Sequence, residues 1–265
     1  MSSRNSKASK EAARERLRIQ REKEAKRAKI RRQVFVATGI VVVLGIAAAV
    51  AVIVNNANKP GYWDAAAKDT LVKPANTDGT DGTTLIIGDK NNKNTLHEFE
   101  DMRCPICAAY EQTAGDQVLQ GAKDGKYRIQ YTFGTFLDAG QGGSGSKKAL
   151  SALGAALNVS VDAFEQYHTL LYSKAVHPDE KKDDFNNADH LIAEAQKIPA
   201  LKGNAKFSDA VKKGTFDKWA LTMSKSFDDS GVNSTPTVKL NNKDIQVAGL
   251  PATQVMASIE AGLTK

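Results

Sequence analysis

Both cysteines of this 265-residue chain lie in one stretch, His97-Glu98-Phe99-Glu100-Asp101-Met102-Arg103-Cys104-Pro105-Ile106-Cys107. Two cysteines placed at random in such a chain would fall at that spacing about one time in a hundred. The residues before the pair read as a strand and those after it as a helix. Where a helix starts, its first N–H groups lack partners and its dipole is positive, which favours a thiolate over a thiol. Cys104 is therefore the expected nucleophile. Cys107, one turn on and less exposed, is placed to close a disulfide with it. Pro105 suits a first helical turn, where no intrahelical acceptor exists for an N–H and φ must lie near −65°.

The neighbouring pattern supplies the scaffold. Thr84 to Gly88 and Asn94 to Asp101 read as strands. A helix is expected from the cysteines to about Gln120, with Gly121 as its stop. In Lys126 to Phe133 the apolar Tyr127, Ile129, Tyr131 and Phe133 alternate with Arg128, Gln130 and Thr132, which predicts another strand. Strand, helix, strand is a βαβ unit, and its reactive turn falls at the carboxyl end of a strand.

Ala139 to Ser146 is rich in Gly and Ser and reads as a loop, with Ser146 and then Ser160 as caps of two helices. Further helices are expected from Asn187 to Lys197 and from Thr215 to Ser230, the latter closed by Gly231. Thr235 to Leu240 and Lys243 to Val247 flank Asn241-Asn242 as a hairpin, and Pro251 opens a last helix ending at Gly262.

The N-terminal part has a different character. Residues 1–33 carry 13 Lys and Arg against 4 Asp and Glu, and residues 34–265 carry 24 against 26. The basic balance belongs to the tail, so a nucleic-acid-binding reading of the main domain loses its support. From Val34 to Val54 no residue is charged. As a helix this run would be roughly 32 Å long, enough to cross a bilayer core and longer than a signal-peptide core. The reading is a basic tail (1–33) held inside, an uncleaved transmembrane anchor (34–54) with the lipid bilayer as its partner, a linker (55–82), and a folded domain outside (83–265). Plain topogenic charge accounts for Arg31-Arg32. Tyr62 and Trp63 have two readings, aromatic anchors at the membrane surface or packing onto the domain.

Phe99, Asp101 and Cys104-Pro105-x-Cys107, with Gly231-Val232, Thr235-Pro236-Thr237 and the Asn241-Asn242 hairpin, resemble the DsbA-like branch of the thioredoxin superfamily in its membrane-anchored bacterial form. The resemblance covers roughly residues 83–265. It implies an α/β, thioredoxin-like fold with a helical insertion at about 146–231, preceded here by one transmembrane helix. Pro236 would be a cis-proline facing the disulfide; an X-Pro bond is cis only about 5 to 6% of the time, so that expectation is the resemblance's alone. Thr235 would pair its backbone with an extended substrate segment. Glu98, six residues before Cys104, matches the family's buried acid, able to take a proton from Cys107; read by itself it is equally a solvated or salt-bridged strand residue.

One departure matters. Pro105-Ile106 stands where the most oxidising relatives have Pro-His, so Cys104 loses a group that would favour its thiolate, and Arg103 is the candidate to compensate. The expected function is an extracytoplasmic thiol:disulfide oxidoreductase that introduces disulfides into exported proteins and is reoxidised by a membrane partner. The alternatives are a reductase or isomerase of the same fold, and a non-catalytic binding or chaperone module. No cofactor is expected. His97, His168, His177 and His190 are scattered without metal-ligand spacing, so no metal site is expected either.

Overall fold

The computed structural model describes residues 61–264, together with 14–16, 18, 23 and 26, which are helical. The chain divides into two compact units, Met1–Gly61 and Tyr62–Lys265. The anchor expected at residues 34–54 lies outside the described residues. Among those described, no helix is long and apolar enough to cross a membrane.

The second unit is built on a five-stranded sheet of order β1-β3-β2-β4-β5. β1 (Leu85–Ile87) pairs antiparallel with β3 (Arg128–Gly134), and β3 runs parallel to β2 (Thr95–Asp101). The other edge of β2 pairs antiparallel with β4 (Thr237–Leu240), which turns back into β5 (Lys243–Ile245). The parallel pair is the expected βαβ unit. It makes β2 the central strand, covered on both faces, so Leu96, Glu98 and Glu100 on one side and Phe99 and Asp101 on the other are all buried. The Asn241-Asn242 turn has φ of 50° and 66°, the left-handed conformation that asparagine tolerates and a tight hairpin needs.

The connection between β2 and β3 differs from the expected single helix. It consists of α2 (Pro105–Tyr110), a π-helical turn at Glu111–Gly115, and α3 (Asp116–Lys123). Gly121 does not stop α3. It lies inside the helix because a Cβ there would run into Tyr127, whose hydroxyl donates to the Val118 carbonyl at 2.8 Å. This glycine marks a close approach rather than an end.

The segment 62–82, read as linker, packs onto the domain. It holds α1 (Tyr62–Ala66), and the Tyr62 hydroxyl donates to Asp217 at 2.5 Å and accepts from Lys148 at 2.8 Å. Trp219 is fully buried and donates its indole N–H to the Gly82 carbonyl at 2.7 Å. Packing is thus the reading of Tyr62 that the structure supports. A short chain with many turn residues still folds when a buried indole needs an acceptor.

After β3 come α4 (Phe136–Gln141), α5 (Gly145–Val159), α6 (Val161–Tyr172), α7 (Ala188–Ala195), α8 (Ala205–Lys213) and α9 (Asp217–Asp229). This is the helical insertion between β3 and β4. Ser160 caps α6 as expected, accepting from the Ala163 N–H at 3.0 Å. Ser146 does not cap α5. It lies within the first turn, and the free N–H groups there are satisfied by carboxylates from elsewhere: Asp183 accepts from Ser144 and Gly145, and Asp138 from Ser146 and Lys147. α4 and α8 fall where no helix was expected. The last helix, α10 (Ala252–Gly262), follows Pro251 as expected.

Candidate active site

Cys104 is the N-cap of α2, with extended backbone (φ −73°, ψ 117°), and its sulfur accepts from the Cys107 N–H at 3.4 Å. The sharp turn is fixed by Asp101, whose carbonyl accepts from the Cys104 N–H at 2.8 Å. Across from the sulfur, the Thr235 carbonyl lies 3.4 Å away and accepts from the thiol, and the Thr235-Pro236 bond is cis. The two cysteines, Thr235 and Pro236 therefore come together as expected. Both thiols are free; Cys104 is 6% exposed and Cys107 is fully buried. Beside them Ile106 is half exposed and lines a groove of about 530 Å³ with Thr235, Pro236, Thr237 and Val247.

The two sulfurs have opposed acidities. Interaction with the Cys107 thiol, and then with Thr235 and the N–H groups at the start of α2, of which that of Cys107 bonds to the sulfur, outweighs burial and brings the Cys104 pKa down to about 6. Burial pushes the Cys107 thiol well up, helped by its bond to Cys104 and by the charge on Glu100. The pair is thus divided into a slightly exposed sulfur that favours the thiolate and a fully buried one that favours the thiol.

Arg103 plays no part in this. Its guanidinium lies in a buried knot, 3.1 Å from Asp138 and 3.4 Å from Asp183, and donates to the carbonyls of Gly142 and Glu180. The lowered pKa of Cys104 comes from the Cys107 thiol and from hydrogen bonding at the helix start, and Arg103 is not among its causes. Next to it Asp101 accepts from the Ser146 hydroxyl at 2.6 Å, from the Arg103 N–H at 3.0 Å and from the Leu137 N–H at 3.1 Å; burial nevertheless raises its pKa to about 6.

Beneath the pair lie three buried acids. Glu98 is fully enclosed, so it is not a solvated strand residue. The Tyr110 hydroxyl donates to one of its oxygens at 3.2 Å, and burial and the charges of Glu111 and Glu100 raise its pKa well above the ordinary range. The acid whose charge helps raise the Cys107 pKa, however, is Glu100. It sits two residues further along the same face of β2, nearer the cysteines. Glu100 meets His168 of α6 at 2.8 Å, and the other ring nitrogen of His168 lies 3.9 Å from Glu111. Burial raises the pKa of both Glu100 and Glu111 and lowers that of His168.

Glu100, Glu111 and His168 also offer one donor atom each within 4.8 Å of one another, the minimum set for a metal ion. The two ring nitrogens face different carboxylates. Sequence reading missed Glu100, Glu111 and His168 as a group because they stand on three elements. The available hint was that Glu98 and Glu100 share a face of one strand.

A model of the family described as Thioredoxin matches residues 80–257. No match is found among curated proteins. Among solved structures the chain is similar to the reduced form of the disulfide bond oxidoreductase DsbG of Mycobacterium tuberculosis, with TM-score 0.54 and 21% identity over 69% of this chain and 95% of that one. It is likewise similar to oxidised BdbD of Bacillus subtilis, with TM-score 0.56 and 20% identity over 72% and 98%. MdbA, a thiol-disulfide oxidoreductase of Actinomyces oris, gives TM-score 0.59 and 18% identity over 72% and 90%. At these identities the likeness is one of fold.

Proposed function

The chain belongs to the thioredoxin family, and from that premise we propose that it is an extracytoplasmic thiol:disulfide oxidoreductase that introduces disulfides into exported proteins. The observation that carries this reading is the division of labour at the cysteines: a near-surface sulfur acidified to about 6 by the start of α2, over a buried partner one turn away. A cysteine pair kept only for stability has no use for that asymmetry.

In the oxidising direction a substrate thiolate attacks the Cys104 sulfur of a Cys104–Cys107 disulfide, and the electrons of the broken bond leave on Cys107. A second substrate thiolate then attacks its own partner in the mixed disulfide, and Cys104 departs as a stabilised thiolate. Both protein cysteines end reduced and the substrate gains one disulfide. A membrane redox partner would reoxidise them. The groove beside Ile106 is where an extended substrate segment would lie, with the backbone of Thr235 available for strand-like pairing. The domain would stand outside the membrane on the anchor read at 34–54, with the basic tail inside.

Cys104→Ser in the full chain tests the assignment. Exchange with a dithiol peptide should disappear while the far-ultraviolet circular dichroism stays unchanged. Exchange that persists in this variant contradicts the reading, and an unsubstituted chain that shows no exchange, with peptide binding that survives Cys104→Ser, would favour a non-catalytic module.

A further inference from the structure

The interior of the domain holds more acid than the described residues neutralise. Glu98 and Glu100 follow each other on one face of β2, both fully buried. His168 Nε2 lies 2.8 Å from Glu100 and Nδ1 lies 3.9 Å from Glu111, and among the described residues no Lys or Arg pairs with any of the three acids. A buried carboxylate without a counter-charge is costly, and so is a buried oxygen without a hydrogen bond. Two such oxygens occur here, Glu98 Oε2 and Glu100 Oε1, each without a partner among the described residues. They are what remains after Tyr110 has served the other oxygen of Glu98 and His168 the other oxygen of Glu100.

Glu100, Glu111 and His168 each offer one ligand atom, and the three atoms lie within 4.8 Å of one another. They come from three elements: β2, the π-helical turn and α6. Ligands about 2.0 to 2.2 Å from a zinc ion stand about 3.3 to 3.6 Å apart in a tetrahedron. Small side-chain movements therefore suffice to close this set on an ion. The His168 ring is fixed by its packing, with the rings of Tyr131, Phe133, Phe164 and Tyr172 at centroid distances of 4.9 to 5.8 Å. A ligand held by its surroundings loses little freedom on binding. Glu111 is the least enclosed of the three, its side chain 7% exposed, and provides the way in that a buried ion needs. It opens the π-helical turn Glu111–Gly115, an irregularity found mostly at functional sites.

We propose that Glu100, Glu111 and His168 bind a divalent transition-metal ion, which ties β2 and the π-helical turn to α6. The ion brings two positive charges to two carboxylates, and the neutral imidazole is the third ligand, with a fourth position left for water on the Glu111 side. One imidazole among the ligands selects a transition metal over Ca²⁺ or Mg²⁺, which prefer oxygen throughout. The sequence conceals this set because its members stand on three elements, far apart in the chain. The site needs neither cysteine, so it is independent of the oxidoreductase reading.

Thiols also bind zinc, so the test uses the full chain carrying Cys104→Ser and Cys107→Ser as its background. After dialysis against a chelator the chain is titrated with Zn²⁺, and both the bound metal and the thermal unfolding midpoint are followed. One Zn²⁺ should bind per chain and raise the midpoint, since an ion that binds only the folded state stabilises it. His168→Gln and Glu111→Gln should each weaken binding by about tenfold or more and abolish the rise. Gly115→Ala keeps every ligand and every charge, yet a Cβ there collides with Glu111 Oε2, so it should weaken binding in the same direction.

No bound Zn²⁺ in the background chain, with the metal in excess, overturns the proposal and leaves the cluster as acids that hold protons instead. Undiminished binding in His168→Gln and Glu111→Gln also overturns it, because the ion then sits elsewhere; if neither variant keeps the far-ultraviolet circular dichroism of the background chain, undiminished binding in Gly115→Ala does the same. An equal rise of the midpoint with Ca²⁺ in place of Zn²⁺ overturns it too, since a site with an imidazole ligand should discriminate against a hard cation.

Discussion

At the scale of residues, the chemistry is set by where hydrogen bonds and burial fall around two sulfurs. The Cys104 thiolate is stabilised chiefly by the Cys107 thiol and by N–H groups at the start of α2, with no cationic side chain among its causes. The rate of Cys104 alkylation should therefore rise with pH about a midpoint near 6 and level off before neutral pH is far exceeded. A midpoint near the ordinary thiol value of about 8.5 would show that these bonds do not act on the sulfur. The sign for stability follows from the same shift. A lowered thiol pKa stabilises the reduced fold above the ordinary thiol pKa, and that contribution is lost as pH falls through about 6. Glu98 has the opposite sign. Its pKa is raised by burial, so ionisation costs the fold stability as pH rises. Glu98→Gln should consequently raise the thermal unfolding midpoint more at pH 9 than at pH 5. An equal change at both values would mean that Glu98 does not ionise within the folded protein over that range.

At the scale of elements, the active-site turn is clamped to the helical insertion through Arg103. Asp138 accepts from Arg103 at 3.1 Å and also satisfies the Ser146 and Lys147 N–H groups at the start of α5. Asp138→Ala leaves a buried guanidinium with less compensation and uncaps the helix, so it should cost about 3 to 5 kcal/mol in denaturant unfolding. A loss below about 1 kcal/mol would mean that Asp183 alone can hold the knot. The sequence displays what is local here and hides what is not. The alternation of Tyr127, Ile129, Tyr131 and Phe133, the Ser160 cap and the Asn241-Asn242 turn were legible because each depends on a few consecutive residues. The capping of α5 by Asp138 and Asp183 was not, since those carboxylates reach it from α4 and from a distant loop. Gly121 misled for the same reason: its role depends on Tyr127, six residues on, folding back over it. At the site, the cysteines and Thr235-Pro236 were readable as motifs, whereas the meeting of Glu100, Glu111 and His168 depends on the packing of β2, the π-helical turn and α6.

At the scale of the whole molecule, the sheet and the insertion act as one frame. β2 carries the cysteine turn at its carboxyl end, β4 brings Thr235 and Pro236 across from it, and the insertion supplies the partners of Arg103, Asp101 and Glu100. The site thus needs both parts of the fold. Its oxidising strength should reflect the acidity of Cys104, because a more stable thiolate favours the reduced pair. A pKa of about 6 lies between the about 7 of thioredoxin and the about 3.5 of DsbA. The measurement that tests this most directly is the reduction potential of the Cys104–Cys107 pair in the full chain, titrated against glutathione. The account predicts a value between the about −270 mV of thioredoxin and the about −120 mV of DsbA. A value below about −300 mV, the range of structural disulfides, would contradict it and make the cysteine pair a brace rather than a redox centre.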